Sequence, residues 1–327
     1  MENNFGQSAN TQMASFSEDG VLNWNHNMWL SLFRTASIDK DSFKLHILRT
    51  EVFHSTVSVV NKGCYYSENG QLVFLHLNDN IGLESKFYSE EFDVHGHREK
   101  YDTRIYAVNE DCLVYARKFS ESEDGVCVLN MANRRNPGGG VFNGAGAQEE
   151  YLFRCSDYYR SLFQYIEYAG LYGIEHSDRS YPLDRNFGGV FSHGVTVFRG
   201  SEEDGYPLLD TPWRVNMVAV PAMSNPRTIS LGGELRLAPD LIEGVKNKMR
   251  TILRIAAING QKTLILGALG CGAFRNPPHH TAELFKEVLS EPEFKNIFKT
   301  ICFAIKEDHN SRGEGNFKPF ADEFGTM

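Results

Sequence analysis

Gln148-Glu149-Glu150 sets an amide and two carboxyl groups side by side, directly after a run with five glycines in nine residues, Gly138 to Gly146. Glycines at that density leave backbone amides accessible and permit the left-handed angles that shape an anion-holding nest. Acidic residues in a first helical turn commonly do no more than complement the macrodipole. For one of them to work as an acid it must hold a proton near neutral pH, which apolar surroundings and a neighbouring carboxylate favour. A helix N-terminus favours the ionised form instead, and the sequence alone leaves the two effects opposed. A second turn of the same kind, Gly267-Ala268-Leu269-Gly270-Cys271-Gly272-Ala273-Phe274, lies further along. Two bare-backbone turns can flank one diphosphate, and in an α/β sheet both would face the crevice beyond the carboxyl ends of the strands.

Familiar nucleotide motifs do not fit these turns. There is no Gly-x4-Gly-Lys-Ser/Thr, which removes the P-loop lysine and its magnesium-binding hydroxyl. Gly267-x-x-Gly270-x-Gly272 reverses the dinucleotide-binding spacing and lies late in the chain, so hydride transfer is a weak fit. His95-Gly96-His97 has a chelating spacing but no clustered third ligand, so surface histidines are the reading and no metal or other cofactor is expected. Cys271 has no histidine at a telling spacing, and its small thiol suits a tight turn. Cys155, Tyr158 and Tyr159 read as packing, His279-His280 as a cap or exposed pair, and Ser192-His193 lacks a nucleophile elbow.

The elements that must position these groups form an α/β pattern from about residue 102 onward. Strands are predicted over 104–108, 126–132, 215–220, 263–266 and 301–305, with helices over 110–119 (capped by Asn109), 147–166, 241–258 and 281–289. The second strand, Val126-Cys127-Val128-Leu129-Asn130-Met131-Ala132, is almost wholly apolar, as expected of a strand covered on both faces. Before it, apolar residues recur at three-to-four spacing from Asn25 to about Val60 and predict a helical lead. Tyr65-Tyr66 and Leu72-Val73-Phe74-Leu75 predict a hairpin with a type I′ turn at Asn69-Gly70. Residues 1–20, rich in Asn, Ser, Gln and Gly, read as a loose tail.

The composition is that of an ordinary soluble globular protein: 327 residues, 41% hydrophobic, 23% charged and a net charge of −9. An acidic chain gains little from counterion release, so duplex nucleic acid is an unlikely partner and any polyanion must be held by a local pocket. No apolar stretch reaches the length of a membrane span, and Met1-Glu2-Asn3-Asn4 does not begin a secretory signal. The six scattered cysteines suit reduced thiols in a cytoplasmic setting.

Gly138-Gly139-Gly140, seven residues, then Gln148-Glu149-Glu150 resembles the Gly-Gly-Gly-x(6–8)-Gln-Glu-Glu signature of poly(ADP-ribose) glycohydrolases. The preceding Val128-Leu129-Asn130-Met131-Ala132-Asn133 and the later Gly270-Cys271-Gly272-Ala273-Phe274 resemble the microbial type, which is built on a macrodomain. The resemblance implies a three-layer α/β/α sandwich with a mixed central sheet over 102–327, preceded by a helical and hairpin extension over 21–101. It further implies hydrolysis of ribose–ribose bonds in poly(ADP-ribose). Glu150 would be the acid and base, Glu149 would hold ribose hydroxyls with Gln148 beside it, and Asn133 would contact the terminal ribose. Gly138, Gly139 and Gly140 would approach ribose and diphosphate, Gly270, Cys271, Gly272 and Ala273 would wrap the diphosphate, and Phe274 would pack beside the ribose. The alternatives are removal of single ADP-ribose units from ADP-ribosylated proteins and a reader that only binds ADP-ribose. Arg134 and Arg135, unusual in this signature loop, either pair with a second phosphate or are solvated loop charges.

Overall fold

The computed structural model describes residues 13–94, 100–120, 123, 125–307, 311 and 313–327. The lead segment folds as two helices, α1 (His26–Ile38) and α2 (Ser42–Lys62). Asn25 and Asp41 cap them by accepting from the amides of Met28 and Lys44, and Gly63, at φ 74°, ends the second in a left-handed turn. The Trp29 indole, fully buried, donates to the Leu48 carbonyl and locks the two helices together. Strands β1 (Ala14–Phe16), β2 (Leu22–Trp24), β3 (Cys64–Tyr66) and β4 (Leu72–Phe74) make a small sheet beside them. Residues 13–20 therefore depart from the expected tail, since Met13 is buried and Ala14–Phe16 pairs with Leu22–Trp24. The rest of that tail lies outside the described residues, as does His95-Gly96-His97. The β3–β4 turn also corrects the type I′ expectation. Gly70 N donates to Ser67 O and Ser67 N to Gln71 O, with only Gly70 at positive φ, which is a three-residue loop ending in a glycine bulge.

A one-turn helix α3 (Ile81–Glu84) leads into β5 (Lys86–Tyr88), followed by β6 (Arg104–Val108), α4 (Cys112–Ser120) and β7 (Val126–Ala132). Asp111, not Asn109, caps α4, its carboxylate accepting from the amides of Leu113 and Val114. Next come α5 (Gln148–Cys155), α6 (Tyr159–Leu162), β8 (Gly189–Arg199), β9 (Leu208–Pro221) and the hairpin β10 (Thr228–Leu231) with β11 (Glu234–Leu237). The chain ends with α7 (Ile242–Ile258), β12 (Thr263–Leu266), α8 (Pro278–Leu289), β13 (Thr300–Ala304) and α9 (Phe317–Phe324).

The predicted helix over 147–166 is broken after Cys155. Ser156 turns extended and bridges to Val197, and the buried Asp157 accepts from the Thr196 amide, so this polar pair leaves the helix to bond the edge of β8. Strand β8 went unforeseen because Ser192-His193-Gly194 interrupts its apolar pattern; there the strand bulges, with Gly194 at φ 65°.

The central sheet runs β5-β8-β9-β7-β12-β13-β6. The five strands from β9 to β6 are parallel, and β8 and β5 add antiparallel at one edge, giving the mixed sheet that was expected. Successive β7 residues alternate between two cores. Val126, Val128 and Ala132 join the core shared with α1, α2 and α5, whereas Cys127 and Leu129 join that of α7, α8 and α9. The extension thus shares one core with the α/β half, and β5 carries it into the same sheet.

Candidate active site

All five parallel strands end on one side, and a cavity of about 510 Å³ opens there. Its walls come from Met131 and Asn133 at the end of β7, Leu266 to Ala268, Gly270 and Gly272 to Phe274 at the end of β12, Ala304 to Lys306 at the end of β13 and Glu110 to Cys112 after β6, with 145–151 around the α5 start contributing as well. This is the crevice that strand polarity favours.

Glu149 and Glu150 are both buried, 4% and 6% exposed, at this wall. Neighbouring backbone grips each carboxylate. Glu149 accepts from Asn133 N at 2.6 Å, Gly138 N at 3.1 Å and Asn130 Nδ2 at 3.3 Å. Glu150 accepts from Gly140 N at 2.7 Å and Ala147 N at 3.1 Å. Burial, together with the charge of Glu150, pushes Glu149 up to about 8 against the pull of its N–H donors, so at neutral pH it holds a proton. Gln148 lies on the wall as well, but its amide spans β7, donating to Leu129 O and accepting from Met131 N, which fixes the first turn of α5 to the sheet.

The glycine run sits behind the acids. Gly138, Gly139 and Gly140 are not among the cavity-lining residues; Gly138 N donates to Glu149 and Gly140 N to Glu150, while Gly139 N donates to Asn136 O within the turn. A Cβ on Gly139, at φ 57°, would run into Glu150 Oε1, which explains the residue type. Asn133 lines the cavity, and its side-chain oxygen holds the turn by accepting from the amides of Arg135 and Asn136. From the second turn, Gly270, Gly272, Ala273 and Phe274 are on the wall, but Cys271 is not. Burial pushes the Cys271 thiol up to about 12, so it is no nucleophile at neutral pH. Asn276, which carried no sequence signal, ties that turn by donating to Gly270 O and Met223 O.

Arg134 and Arg135 do not line the cavity, and Arg134 donates to Leu183 O instead. His280 is buried, not exposed, its Nδ1 accepting from Leu237 N. The wall residues that sequence reasoning missed include Arg49 of α2, Arg154, Glu202, the adjacent Asp111 and Cys112, and Lys306. They come from five separate segments, and of these residues only Asp111, in a capping position before α4, had a local signal. Among the described residues no group of three His, Cys, Asp or Glu side chains is placed to hold a metal ion.

Residues 54–200 match the family model "Microbial-type PARG, catalytic domain", a stretch that holds the glycine run and Gln148-Glu149-Glu150 but ends before the second turn. Among solved structures, the fold is similar to poly(ADP-ribose) glycohydrolase from Thermomonospora curvata bound to the inhibitor ADP-HPD. That match has 27% identity and a TM-score of 0.66, and covers 84% of this chain and 99% of that one. The enzyme of the same name from Deinococcus radiodurans, in complex with ADP-ribose, matches at 26% identity and a TM-score of 0.58, over 77% of this chain and 98% of that one. No curated protein matches the sequence. The acidic signature thus lies within a match to the microbial-type PARG catalytic domain, on a fold that is similar to bacterial poly(ADP-ribose) glycohydrolases over most of its length.

Proposed function

We propose that this protein hydrolyses the ribose–ribose O-glycosidic bonds of poly(ADP-ribose), releasing ADP-ribose, with Glu150 as acid and base. The observation that carries the reading is the pair Glu149 and Glu150, buried side by side on the wall of a cavity between two glycine turns. As general acid, Glu150 delivers a proton to the departing 2′-oxygen as the bond to the anomeric carbon breaks and an oxocarbenium-like centre forms. Water then attacks that carbon and returns a proton to Glu150. Glu149 holds ribose hydroxyls, Asn133 contacts the terminal ribose, Gly270, Gly272 and Ala273 offer backbone amides to the diphosphate, and Phe274 packs beside the ribose. The fold is read as macrodomain-type and the substrate as the polymer or ADP-ribosylated protein. A cytoplasmic setting agrees with six cysteines that are all buried and unpaired, and among the described residues no helix is long and apolar enough to cross a membrane.

The test is release of ADP-ribose from poly(ADP-ribose) and from mono-ADP-ribosylated protein by the wild type and Glu150→Gln. Polymer turnover that falls by about 10²–10⁴-fold in the variant supports the assignment. Turnover of the mono-modified protein alone moves the activity to side-chain de-ADP-ribosylation. Binding of ADP-ribose with no turnover in either protein makes the chain a reader and overturns the mechanism.

A further inference from the structure

The connection between β8 and β9 reaches the active-site wall through one acidic residue, Glu202. Its carboxylate receives Arg49 of α2 in a two-pronged pair, Nε to Oε2 at 2.9 Å and Nη2 to Oε1 at 2.8 Å. Arg154, one turn after Glu150 on α5, approaches the same carboxylate at 3.7 Å and donates to the Tyr206 hydroxyl at 2.7 Å, which in turn donates to Glu202 at 2.7 Å. Burial works to raise Glu202, but the Arg49 hydrogen bonds, the charges of both arginines and the Tyr206 hydrogen bond outweigh it and hold the carboxyl below its ordinary value. Two arginines, 8% and 1% exposed, thus share one carboxylate, and the cluster carries one net positive charge.

What this cluster touches is the strand of loop that seats the acid. Arg154 Nη1 donates to Ala145 O at 2.8 Å, the Arg49 guanidinium lies where a Cβ on Gly146 would be, and the next residue, Ala147, supplies the amide that Glu150 Oε2 accepts. The connection itself is anchored. Arg199 donates to Tyr206 O and to the hydroxyls of Ser55 and Thr56 on α2, and the Trp24 indole donates to Gly205 O.

We infer that Glu202 is a positioning residue for the Glu149–Glu150 pair, clamping Arg49 of the N-terminal extension and Arg154 of the acid-bearing helix so that residues 145–147 hold Glu150 in place. The inference rests on Glu150 being the acid. Glu202 touches no reacting atom; it acts through the two arginines, both on the geometry of the loop and on the field at the carboxyl pair. The groups that set this field are Glu149, Tyr151 and Arg154 on the same helix, His46 and Arg49 on α2, and Glu202 with Tyr206 on the connection. From the segments after β6 and β13 come Glu110, Asp111, Cys112 and Lys306, with Asp111 accepting from the Tyr151 hydroxyl.

The experiment is steady-state hydrolysis of poly(ADP-ribose) across pH, with calorimetric titration of ADP-ribose, for the wild type, Glu202→Gln, Arg49→Met and Glu150→Gln. Glu202→Gln leaves two positive charges without their counter-charge, so the limb of the kcat profile set by the carboxyl pair moves to lower pH. Arg49→Met removes a positive charge and moves the same limb to higher pH, each by roughly half a unit to one unit. Displacement of the loop lowers kcat about 10–100-fold in Glu202→Gln, while ADP-ribose affinity stays within about threefold. Arg49→Met, which leaves Glu202 paired with Arg154, keeps the inference testable if the first variant does not fold. Unshifted limbs, shifts of the same sign in both variants, or lost affinity at unchanged kcat overturn the positioning role. A wild type that turns over no polymer, or a fully active Glu150→Gln, instead overturns the reading of the acid on which it rests.

Discussion

Gly139→Ala separates the geometry of the acid from the stability of the fold. Gly139 sits at φ 57°, and a Cβ there would collide with Glu150 Oε1 and lie 3.1 Å from Glu149 Oε2. Two costs follow. A non-glycine residue in the left-handed region costs about 1–2 kcal/mol, a few degrees of melting temperature for a chain of this size. The carboxylate must also retreat by roughly 1 Å to regain ordinary contact. A misplacement of that order costs about 100-fold in rate, close to 2.7 kcal/mol of transition-state stabilisation. Gly173→Ala is the matched control, since Gly173 is also left-handed, at φ 68°, with nothing within 4 Å of an added Cβ. Both variants should melt a few degrees lower than the wild type, whereas only Gly139→Ala should lose polymer hydrolysis in a steady-state assay of ADP-ribose release. Turnover by Gly139→Ala within about threefold of the control would refute the claim that the bare backbone of the glycine run is what seats Glu150.

Two further outcomes complement those for Glu150 and Glu202. Glu149 is raised from an ordinary 4.5 to about 8 in the fold, so the stability tied to its proton is complete below 4.5 and is lost as pH rises through 8. Urea unfolding between pH 5 and 8 should therefore show wild-type stability declining more steeply than that of Glu149→Gln; equal slopes would mean that the side chain is ionised in the fold. Cys271→Ala should keep kcat, because this residue is off the cavity wall and its amide donates to Ala268 O, and should lose about 1 kcal/mol to the small cavity left by the buried thiol. Loss of activity without loss of stability would instead give the sulfur a chemical role.

Local sequence determined what depends on local physics. An apolar run became β7 at the predicted residues 126–132, since a strand covered on both faces has no other stable use for such a pattern, and 104–108 and 263–266 held equally well. The two glycine turns and the paired glutamates were legible for the same reason, as few other contexts require so much bare backbone beside two acids. The tertiary structure decided whatever depends on residues far apart in the chain. It turned the amides of Gly138 and Gly140 toward the glutamates and away from the cavity, where they serve as donors to two buried carboxyl groups. It broke the helix over 147–166, because Ser156 and Asp157 found partners on a strand some forty residues later. It also brought Arg49, Arg154 and Glu202 to one wall, where a buried charge is tolerated only beside its partner, a constraint that no local spacing records.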